Sequence, residues 1–306
     1  MIDLANPIFT DENKARKHLE SIIWPDGPVC PHCGSHDSAT KLKGKSTRPG
    51  VYKCRACEKP FSVTVGTVLE RSKIPLRKWV MAFYLLNSSK KGVSAHQMHR
   101  MLGVTYKTAW FMMHRVREAM REIAPEGMGG QNKVVEVDET YVGGKAKNAK
   151  RGAPIPAKEP VITLVEREGK VRSFHLPAVS RNTLRPILVT QIDRKSYLMT
   201  DESRVYKSVG KEFAGHGSVN HSIDQYVRGG GFWHTNTVEG YFSILKRGIT
   251  GIYQHVSQQH LKRYLGEFDF RYNFRHVTDM ERTSKAIEGI SGKRLTYRRT
   301  DASAVA

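Results

Sequence analysis

The sequence has no long hydrophobic run, no signal-like N-terminus and comparatively few acidic residues. Its longest apolar stretch covers residues 79–86, whereas a helix that crosses a bilayer needs about 20 apolar residues. The first residues, Met-Ile-Asp-Leu-Ala-Asn-Pro, contain neither the basic nor the apolar region of a secretory signal. These absences argue against a membrane partner, and we expect a cytoplasmic protein whose cysteines are reduced.

The shortage of acidic residues gives the chain a strong positive charge. Its 306 residues include 50 Lys and Arg but only 29 Asp and Glu, so the formal net charge is +21. A charge of this size favours a polyanionic partner such as nucleic acid, although a ribosomal or membrane-surface protein is an alternative. A chain of this length has room for two or three domains with a sizeable core.

Cysteine is scarce as well, and its four copies form two pairs. Cys30 and Cys33 enclose two residues, as do Cys54 and Cys57, and twenty residues separate the pairs. This spacing predicts a zinc site with four thiolate ligands; the alternatives are four unrelated buried thiols or two redox pairs. Four cysteine ligands leave no coordination position for a substrate. We therefore predict a structural Zn²⁺ ion in an N-terminal domain, residues 1–70, in which a short helix precedes a zinc ribbon.

The pattern of residues 71–124 predicts a helix-turn-helix domain that binds DNA. Ser94 begins a helix with a capping box, Gly103 makes a turn, and Thr105 caps the helix that follows. That last helix has a methionine-rich apolar stripe and an opposite, basic face. A three-helix bundle with a solvated basic face would show the same pattern, but the net charge favours DNA binding. The predicted DNA-binding residues of this helix are Lys107, His114, Arg117 and Arg121.

After a glycine-rich linker at residues 125–132, the pattern becomes that of a mixed α/β domain, residues 133–276. Along it the order is strand, strand, strand, helix, strand and then helices. We expect residues 277–306 to form a basic C-terminal tail that is frayed from residue 283.

A long basic loop, residues 143–160, separates the first two strands of this domain. It contains several lysines and no acid before Glu159. Such a loop is either disordered or ordered by contacts with phosphates. The predicted DNA contacts in this loop are Lys145, Lys147, Lys150 and Arg151.

Three acidic residues occur where elements of the α/β domain begin or end. Asp138 closes the first strand, Asp201 closes the fourth, and Glu239 opens a late helix. Carboxylates that converge from several elements suit phosphoryl transfer with two divalent ions, because Mg²⁺ prefers hard oxygen ligands. The alternation of a strand places Asp138 and Glu139 on opposite faces, and it does not decide which of the two belongs to the site.

Each of these acids also has a structural interpretation. Asp138 and Asp201 are plausible strand-end turn residues, and Asp201 is a plausible cap for the next helix. Glu239 follows Asn236 by three residues, a spacing that predicts a capping box in which the carboxylate turns back on its own backbone. The residues alone leave the two interpretations open.

Several long motifs resemble those of bacterial insertion-sequence transposases. They are Cys-Pro-His-Cys-Gly, Tyr-Lys-Cys-Arg-Ala-Cys, Val-Asp138-Glu-Thr-Tyr-Val-Gly-Gly, Met-Thr-Asp201-Glu, Val-Asn-His221-Ser and His-Thr-Asn-Thr-Val-Glu239-Gly-Tyr-Phe-Ser-Ile-Leu-Lys-Arg-Gly. The resemblance covers residues 1 to about 275. It is to the group that places a zinc ribbon before a catalytic DDE domain with the ribonuclease-H-like fold.

The resemblance implies a site and a reaction. Asp138, Asp201 and Glu239 would be the catalytic triad that holds two Mg²⁺ or Mn²⁺ ions, and Lys246 and Arg247 would contact DNA near the cut, whereas the role of His221 stays open. The implied function is binding of double-stranded DNA at the inverted repeats of the element, strand cleavage and strand transfer into target DNA. We expect a homodimer on DNA, associated with the nucleoid. Two alternatives remain: a DNA-binding regulator or inactive transposase remnant without catalysis, and a nuclease or resolvase that only hydrolyses.

Overall fold

A computed structural model describes residues 3–123, 125–143, 157–219 and 232–296 of the chain. The chain divides into two compact units. Unit 1 contains the residues up to Arg121 together with the segment that starts at Val277, and unit 2 is Glu122–His276. Each unit has its own core, and the two are described separately.

Unit 1 begins with two short helices and a small sheet. Helix α1 is Pro7–Thr10 and α2 is Glu12–Ile23, and the Asp11 side chain between them accepts a hydrogen bond from the backbone N–H of Lys14. Strands β1 (Ala39–Lys41), β2 (Tyr52–Cys54) and β3 (Pro60–Phe61) form an antiparallel sheet in that order. Aromatic rings of Trp24, Tyr52 and Phe61 pack beside the cysteines, and this sheet is the predicted ribbon.

Three further helices complete the N-terminal part of unit 1. They are α3 (Leu76–Ser88), α4 (Ala95–Leu102) and α5 (Tyr106–Met120). The hydroxyls of Ser94 and Thr105 accept the expected hydrogen bonds at the starts of α4 and α5. Gly103 ends α4 with φ 57° and ψ 50°, a left-handed conformation that glycine adopts at low cost. The predicted helix, glycine turn and helix are therefore present.

Unit 2 is built on a five-stranded sheet with the order β6-β5-β4-β7-β8. The strands are β4 (Val134–Val142), β5 (Glu159–Glu166), β6 (Val171–His175), β7 (Tyr197–Thr200) and β8 (Gly215–Ser218). Antiparallel pairs join β4, β5 and β6, whereas β4 pairs with β7 and β7 with β8 in parallel. This mixed sheet, with β4 in the centre, has the ribonuclease-H-like arrangement that the resemblance implies.

Helices cover both faces of this sheet. Helices α6 (Arg181–Gln191) and α7 (Arg204–Gly210) pack on one face, where they contact Val135 and Val137 of β4. Helix α8 (Asn236–Gly248), a π-helical turn (Ile249–Tyr253) and α9 (Gln258–Asn273) pack on the other. Residues of β4 alternate between the two cores, so Glu136 and Asp138 lie on the face that α8 covers.

The predicted linker at residues 125–132 is part of unit 2 rather than a free connection. Met128 is buried and forms a parallel bridge with Ile192, and the backbone N–H of Gly130 donates to the Ser196 hydroxyl at 2.8 Å. The glycine-rich composition misled the prediction because glycine serves here for close packing: a Cβ on Gly129 would lie 2.1 Å from the Ser196 oxygen.

The expectation of a frayed C-terminal tail is wrong for the described residues up to 296. Helix α10 (Asp279–Glu288) starts with a capping box between Thr278 and Glu281, and it packs against α2, α3 and α5 of unit 1. Its buried residues include Ala286 and Ile287. The basic composition of this segment obscured a helical pattern of apolar residues, and unit 1 is therefore made from both ends of the chain. No helix in the described part of the chain has the length and apolar character to cross a membrane.

Candidate active site

The candidate active site lies where β7 ends beside the middle of β4. The two strands run in parallel, with Glu136 opposite Met199, so Asp138 follows two residues later within β4 and Asp201 follows directly after the end of β7. The prediction that Asp138 closes the first strand is wrong, because β4 continues to Val142. Carboxylate oxygens of Asp138, Glu139 and Asp201 lie within 4.8 Å of one another. The parallel register therefore brings together two acids that are separated by more than sixty positions in the sequence.

The chemistry of this cluster suits a divalent cation. Burial is the main cause that raises the pKa of Asp138 to about 7, and the negative charges of the neighbouring acids, Glu239 among them, act in the same direction. A hydrogen bond of 2.7 Å from the backbone N–H of Glu139 opposes the shift. The converging carboxylates repel one another, and a bound cation would relieve this repulsion. Their oxygen atoms are also the ligands that Mg²⁺ or Mn²⁺ prefers.

Glu139 belongs to the cluster but faces the opposite side of β4 from Asp138. The hydroxyl of Tyr206, on α7, donates a hydrogen bond to its carboxylate. Burial raises the pKa of Glu139, whereas the tyrosine lowers it. Burial also raises the pKa of Tyr206 well above 10.0, so the hydroxyl stays protonated and remains a donor. Strand alternation left open whether Asp138 or Glu139 belongs to the site, and the carboxylates of both lie in the acidic cluster.

Asp201 is held by the turn that follows β7. Its Oδ1 accepts a hydrogen bond from the backbone N–H of Ser203 at 3.1 Å. Ser203, not Asp201, is the N-cap residue of α7. The alternative in which Asp201 caps the next helix is therefore wrong.

Glu239 approaches the cluster from the first turn of α8. Its carboxylate accepts a hydrogen bond from the Thr235 hydroxyl at 3.1 Å. It is exposed and stands outside the group of oxygens within 4.8 Å, yet its charge raises the pKa of Asp138. The third acid of the motif therefore lies on the face of the sheet that carries Asp138, outside the group of closest oxygens.

The capping box expected at Asn236 is absent. Helix α8 has Thr235 as its N-cap, and this residue makes no side-chain hydrogen bond to the backbone of the first turn. The backbone N–H groups of Thr237 and Val238 donate instead to Glu136 of β4, at 2.8 and 3.0 Å. The sequence interpretation missed Glu136, and the available signal was an acid between Val135 and Val137 in the apolar first half of the strand.

The basic residues assigned to DNA near the cut are exposed on α8. The Nζ atom of Lys246 lies 5.9 Å from the centroid of the Phe242 ring, and the Arg247 side chain donates to the Ser243 carbonyl at 3.0 Å. Lys246 follows Glu239 by seven residues, about two helical turns, so it lies on the same side of α8. The predicted contacts of the basic loop, Lys145, Lys147, Lys150 and Arg151, and also His221, lie outside the described residues.

The four cysteines of unit 1 form a group with the dimensions of a zinc site. Their sulfur atoms lie within 4.8 Å of one another, and the distances from Cys30 to Cys57 and from Cys33 to Cys54 are both 3.7 Å. A tetrahedron with Zn–S bonds of about 2.3 Å has edges of about 3.8 Å, whereas a disulfide would require about 2.05 Å. The Ser38 hydroxyl, 3.4 Å from the sulfur of Cys54, is the main cause that lowers the pKa of this thiol to about 6.

The prediction of an exposed basic face on α5 is wrong for two of its four residues. Lys107 and Arg121 are exposed, whereas His114 and Arg117 are each only 1% exposed. The reason is that α5 is buried on more than one side along its second half, where Met112, Met113, Val116, Ala119 and Met120 are buried too.

Two family models match the chain. The zinc-ribbon domain of transposases matches residues 10–60, and the ISXO2-like transposase domain matches residues 129–273. Both matched models are domains of insertion-sequence transposases. The first model contains the four cysteines, and the second contains the acidic cluster together with Glu239.

Individual proteins resemble this chain to different degrees. It is 28% identical over 279 residues to an uncharacterized protein in transposable element ISH50 of Halobacterium salinarum, a match that covers 86% of this chain and 91% of that protein. A chain in the structure of the simian T-cell lymphotropic virus intasome with the PP2A regulatory subunit B56 gamma is 13% identical, with a TM-score of 0.29 over 60% of this chain and 66% of that one. That second likeness is too weak to support an argument.

Proposed function

We propose that this transposase is an active enzyme that binds the terminal inverted repeats of its element, cleaves a DNA strand at each end and transfers the ends into target DNA. The observation that carries the proposal is the acidic cluster between two neighbouring parallel strands, in a segment that matches a transposase domain. Water cleaves a phosphodiester bond and releases a 3′-hydroxyl. That hydroxyl then attacks a target phosphodiester, so that one bond forms as another breaks.

We assign the metal-holding role to Asp138, Asp201 and Glu239. Asp138 is chosen over Glu139 because it shares the α8 face with Glu239, whereas Glu139 accepts a hydrogen bond from Tyr206 on the other side. Two bound Mg²⁺ or Mn²⁺ ions would lower the pKa of an attacking water and stabilise the leaving oxygen. Glu139 would keep the cluster negative without moving, because Tyr206 fixes its carboxylate.

DNA would be held by basic groups around this cluster and in unit 1. Lys246 and Arg247 on α8 lie on the helix that brings Glu239, which suits contacts to phosphates next to the cut. Of the four residues predicted to bind DNA in this region, Lys107 on α5 and Arg121 directly after it are exposed. Joining two ends requires two active sites, so we propose a homodimer on DNA, which sedimentation of the DNA complex would detect as two chains per pair of ends.

A joining assay tests this function against its alternatives. Zinc-loaded protein is incubated with Mg²⁺, plasmid DNA and labelled fragments whose precut 3′ ends come from the termini of the element. We expect labelled ends joined to plasmid, with no joining by Asp138→Asn, Asp201→Asn or Glu239→Gln although each variant still binds the fragment. Nicked plasmid without joined product would indicate a nuclease, and end binding without either product would indicate a regulator; each result contradicts the proposal.

A further inference from the structure

Glu136 is a buried carboxylate that lies two residues before Asp138 on the same face of β4. Its side chain is fully buried, with 0% exposure. It accepts hydrogen bonds from the backbone N–H groups of Thr237 and Val238, and the Thr237 hydroxyl donates to it at 2.9 Å. A buried charge of this kind is stable only where several donors satisfy it, and here the donors are the first turn of α8.

The start of a helix is a favourable place for a negative charge. Its first N–H groups have no partner within the helix, and the helix dipole is positive at this end. In most helices a side chain close in sequence fills this role, but here the cap comes from a strand about a hundred residues earlier. The hydrogen bonds therefore attach α8 directly to β4.

Arg167 attaches the preceding residues to the same place. Its Nε donates to Glu136 at 2.7 Å, while its two terminal nitrogens donate to the carbonyls of Phe232 and His234 at 2.7 and 3.0 Å. The backbone N–H of Arg167 in turn donates to the carbonyl of Val134 on β4 at 3.1 Å. One planar guanidinium thus joins the strand to the approach of α8 in a fixed geometry.

We infer that Glu136 is a positioning residue. It fixes the rotation of α8 about its axis and its position along that axis relative to β4, so that the carboxylate of Glu239 faces that of Asp138. This inference rests on the proposed function of the acidic cluster. Two backbone donors to one carboxylate define the orientation of the first turn, and Glu239 is the next residue after Val238. A shift of the helix by one residue would turn Glu239 by about 100° and move it about 1.5 Å along the axis. Metal ligands tolerate displacements of only about 0.5 Å.

Binding of Mn²⁺ to the zinc-loaded protein, followed by electron paramagnetic resonance without DNA, tests the inference. The Asp138→Asn variant gives the background from other sites. We expect Glu136→Gln to weaken Mn²⁺ binding at the cluster about 10-fold or more, the usual effect of losing a group that orients metal ligands. Glu136→Asp, which keeps the charge on a shorter side chain, should recover part of the affinity.

Glu267 provides a matched control. It is a fully buried carboxylate in the same unit that is bound by Arg271 and by the Tyr253 hydroxyl, away from the first turn of α8. Glu267→Gln should lower the thermal stability as Glu136→Gln does, yet leave the Mn²⁺ affinity unchanged. If Glu136→Gln does not fold, Arg167→Lys supplies the second test, because it removes the paired contacts to Phe232 and His234 while it keeps a positive charge.

The outcomes separate the inference from the function on which it rests. Mn²⁺ affinity in Glu136→Gln within twofold of the wild type, or an equal loss in Glu267→Gln, would overturn the positioning role. Absence of Mn²⁺ binding and of DNA joining in the wild-type protein would instead contradict the proposed function.

Discussion

At the scale of single residues, Asp138 is an acid of the candidate site whose pKa is strongly raised. Burial and the neighbouring negative charges raise its pKa to about 7 in the folded protein, from 3.8. The folded state therefore retains a proton on Asp138 between about pH 4 and pH 7, where the unfolded chain has lost it. The free energy of unfolding consequently falls as the pH rises through this range. This cost is present when no cation neutralises the cluster.

Asp138→Asn tests this electrostatic cost. In buffer free of divalent ions, with zinc-loaded protein, we expect the variant to have a higher Tm than the wild type at pH 8, and an equal Tm near pH 4. Each kcal/mol should correspond to about 2–4 °C for a domain of this size. Differential scanning calorimetry over this pH range measures the difference.

The addition of Mg²⁺ supplies the control for Asp138→Asn. Saturating Mg²⁺ should raise the Tm of the wild type, because a ligand that binds only the folded state stabilises it, and it should change the Tm of the variant much less. A variant less stable than the wild type at pH 8 without divalent ions would show that Asp138 is neutralised by something other than a bound cation.

At the scale of elements, α10 is the clearest departure from the sequence-based expectation. This C-terminal helix packs against α2, α3 and α5, and the residues after it continue the contact. The backbone N–H of Val68 donates to the carbonyl of Ile290 at 3.1 Å, and Lys293 donates to the carbonyl of Ala119 at 2.8 Å. The described part of the C-terminal segment, up to residue 296, therefore contributes to the core of unit 1.

Ile287→Ala tests whether α10 stabilises unit 1. Ile287 has 0% exposure, so its truncation should leave a cavity and lower the free energy of unfolding by about 2–4 kcal/mol. Urea denaturation followed by tryptophan fluorescence reports this unit, since Trp24, Trp79 and Trp110 belong to it and only Trp233 does not.

The matched control is Lys285→Ala on the same helix. Lys285 is exposed and pairs with Glu288 at the surface, a contact worth at most about 1 kcal/mol. A loss of stability in Lys285→Ala as large as that in Ile287→Ala would contradict the role of burial, because alanine is the better helix former and Lys285 lies on the exposed side of α10.

The elements that depend on local signals could be predicted from the sequence. The spacing of the cysteines indicated the ribbon, and Ser94, Gly103 and Thr105 marked the limits of α4 and α5, because caps and turns are decided within a few residues. The strand that contains Asp138 and the strand that Asp201 follows could be predicted for the same reason. Their convergence followed from the family motifs, and the parallel register of β4 and β7 supplies its physical basis.

Features that depend on contacts distant in sequence could not be predicted. Glu136 reads as an ordinary strand residue until α8 is placed on it, and the capping box at Asn236 was then a reasonable but wrong interpretation of Glu239. His114 and Arg117 have the helical spacing of an exposed face, and only the packing around α5 buries them. In each case the local pattern fitted two environments, and tertiary packing decided between them.

At the scale of the whole molecule, the charge and the site have one explanation. A net charge of +21 attracts a polyanion, and the acidic cluster is a negative site within that basic protein. DNA phosphates would be repelled by these carboxylates unless cations lie between them. We therefore expect divalent ions at the cluster whenever DNA occupies the site.

The most direct test of this central claim is the anomalous scattering of Mn²⁺ in crystals of the zinc-loaded transposase bound to its terminal DNA. We expect two Mn²⁺ peaks about 3.5–4 Å apart, held between the carboxylates of Asp138, Asp201 and Glu239 and next to the phosphate at the element end. Electron density for DNA at the site with no Mn²⁺ peak among these three carboxylates would contradict the two-metal assignment.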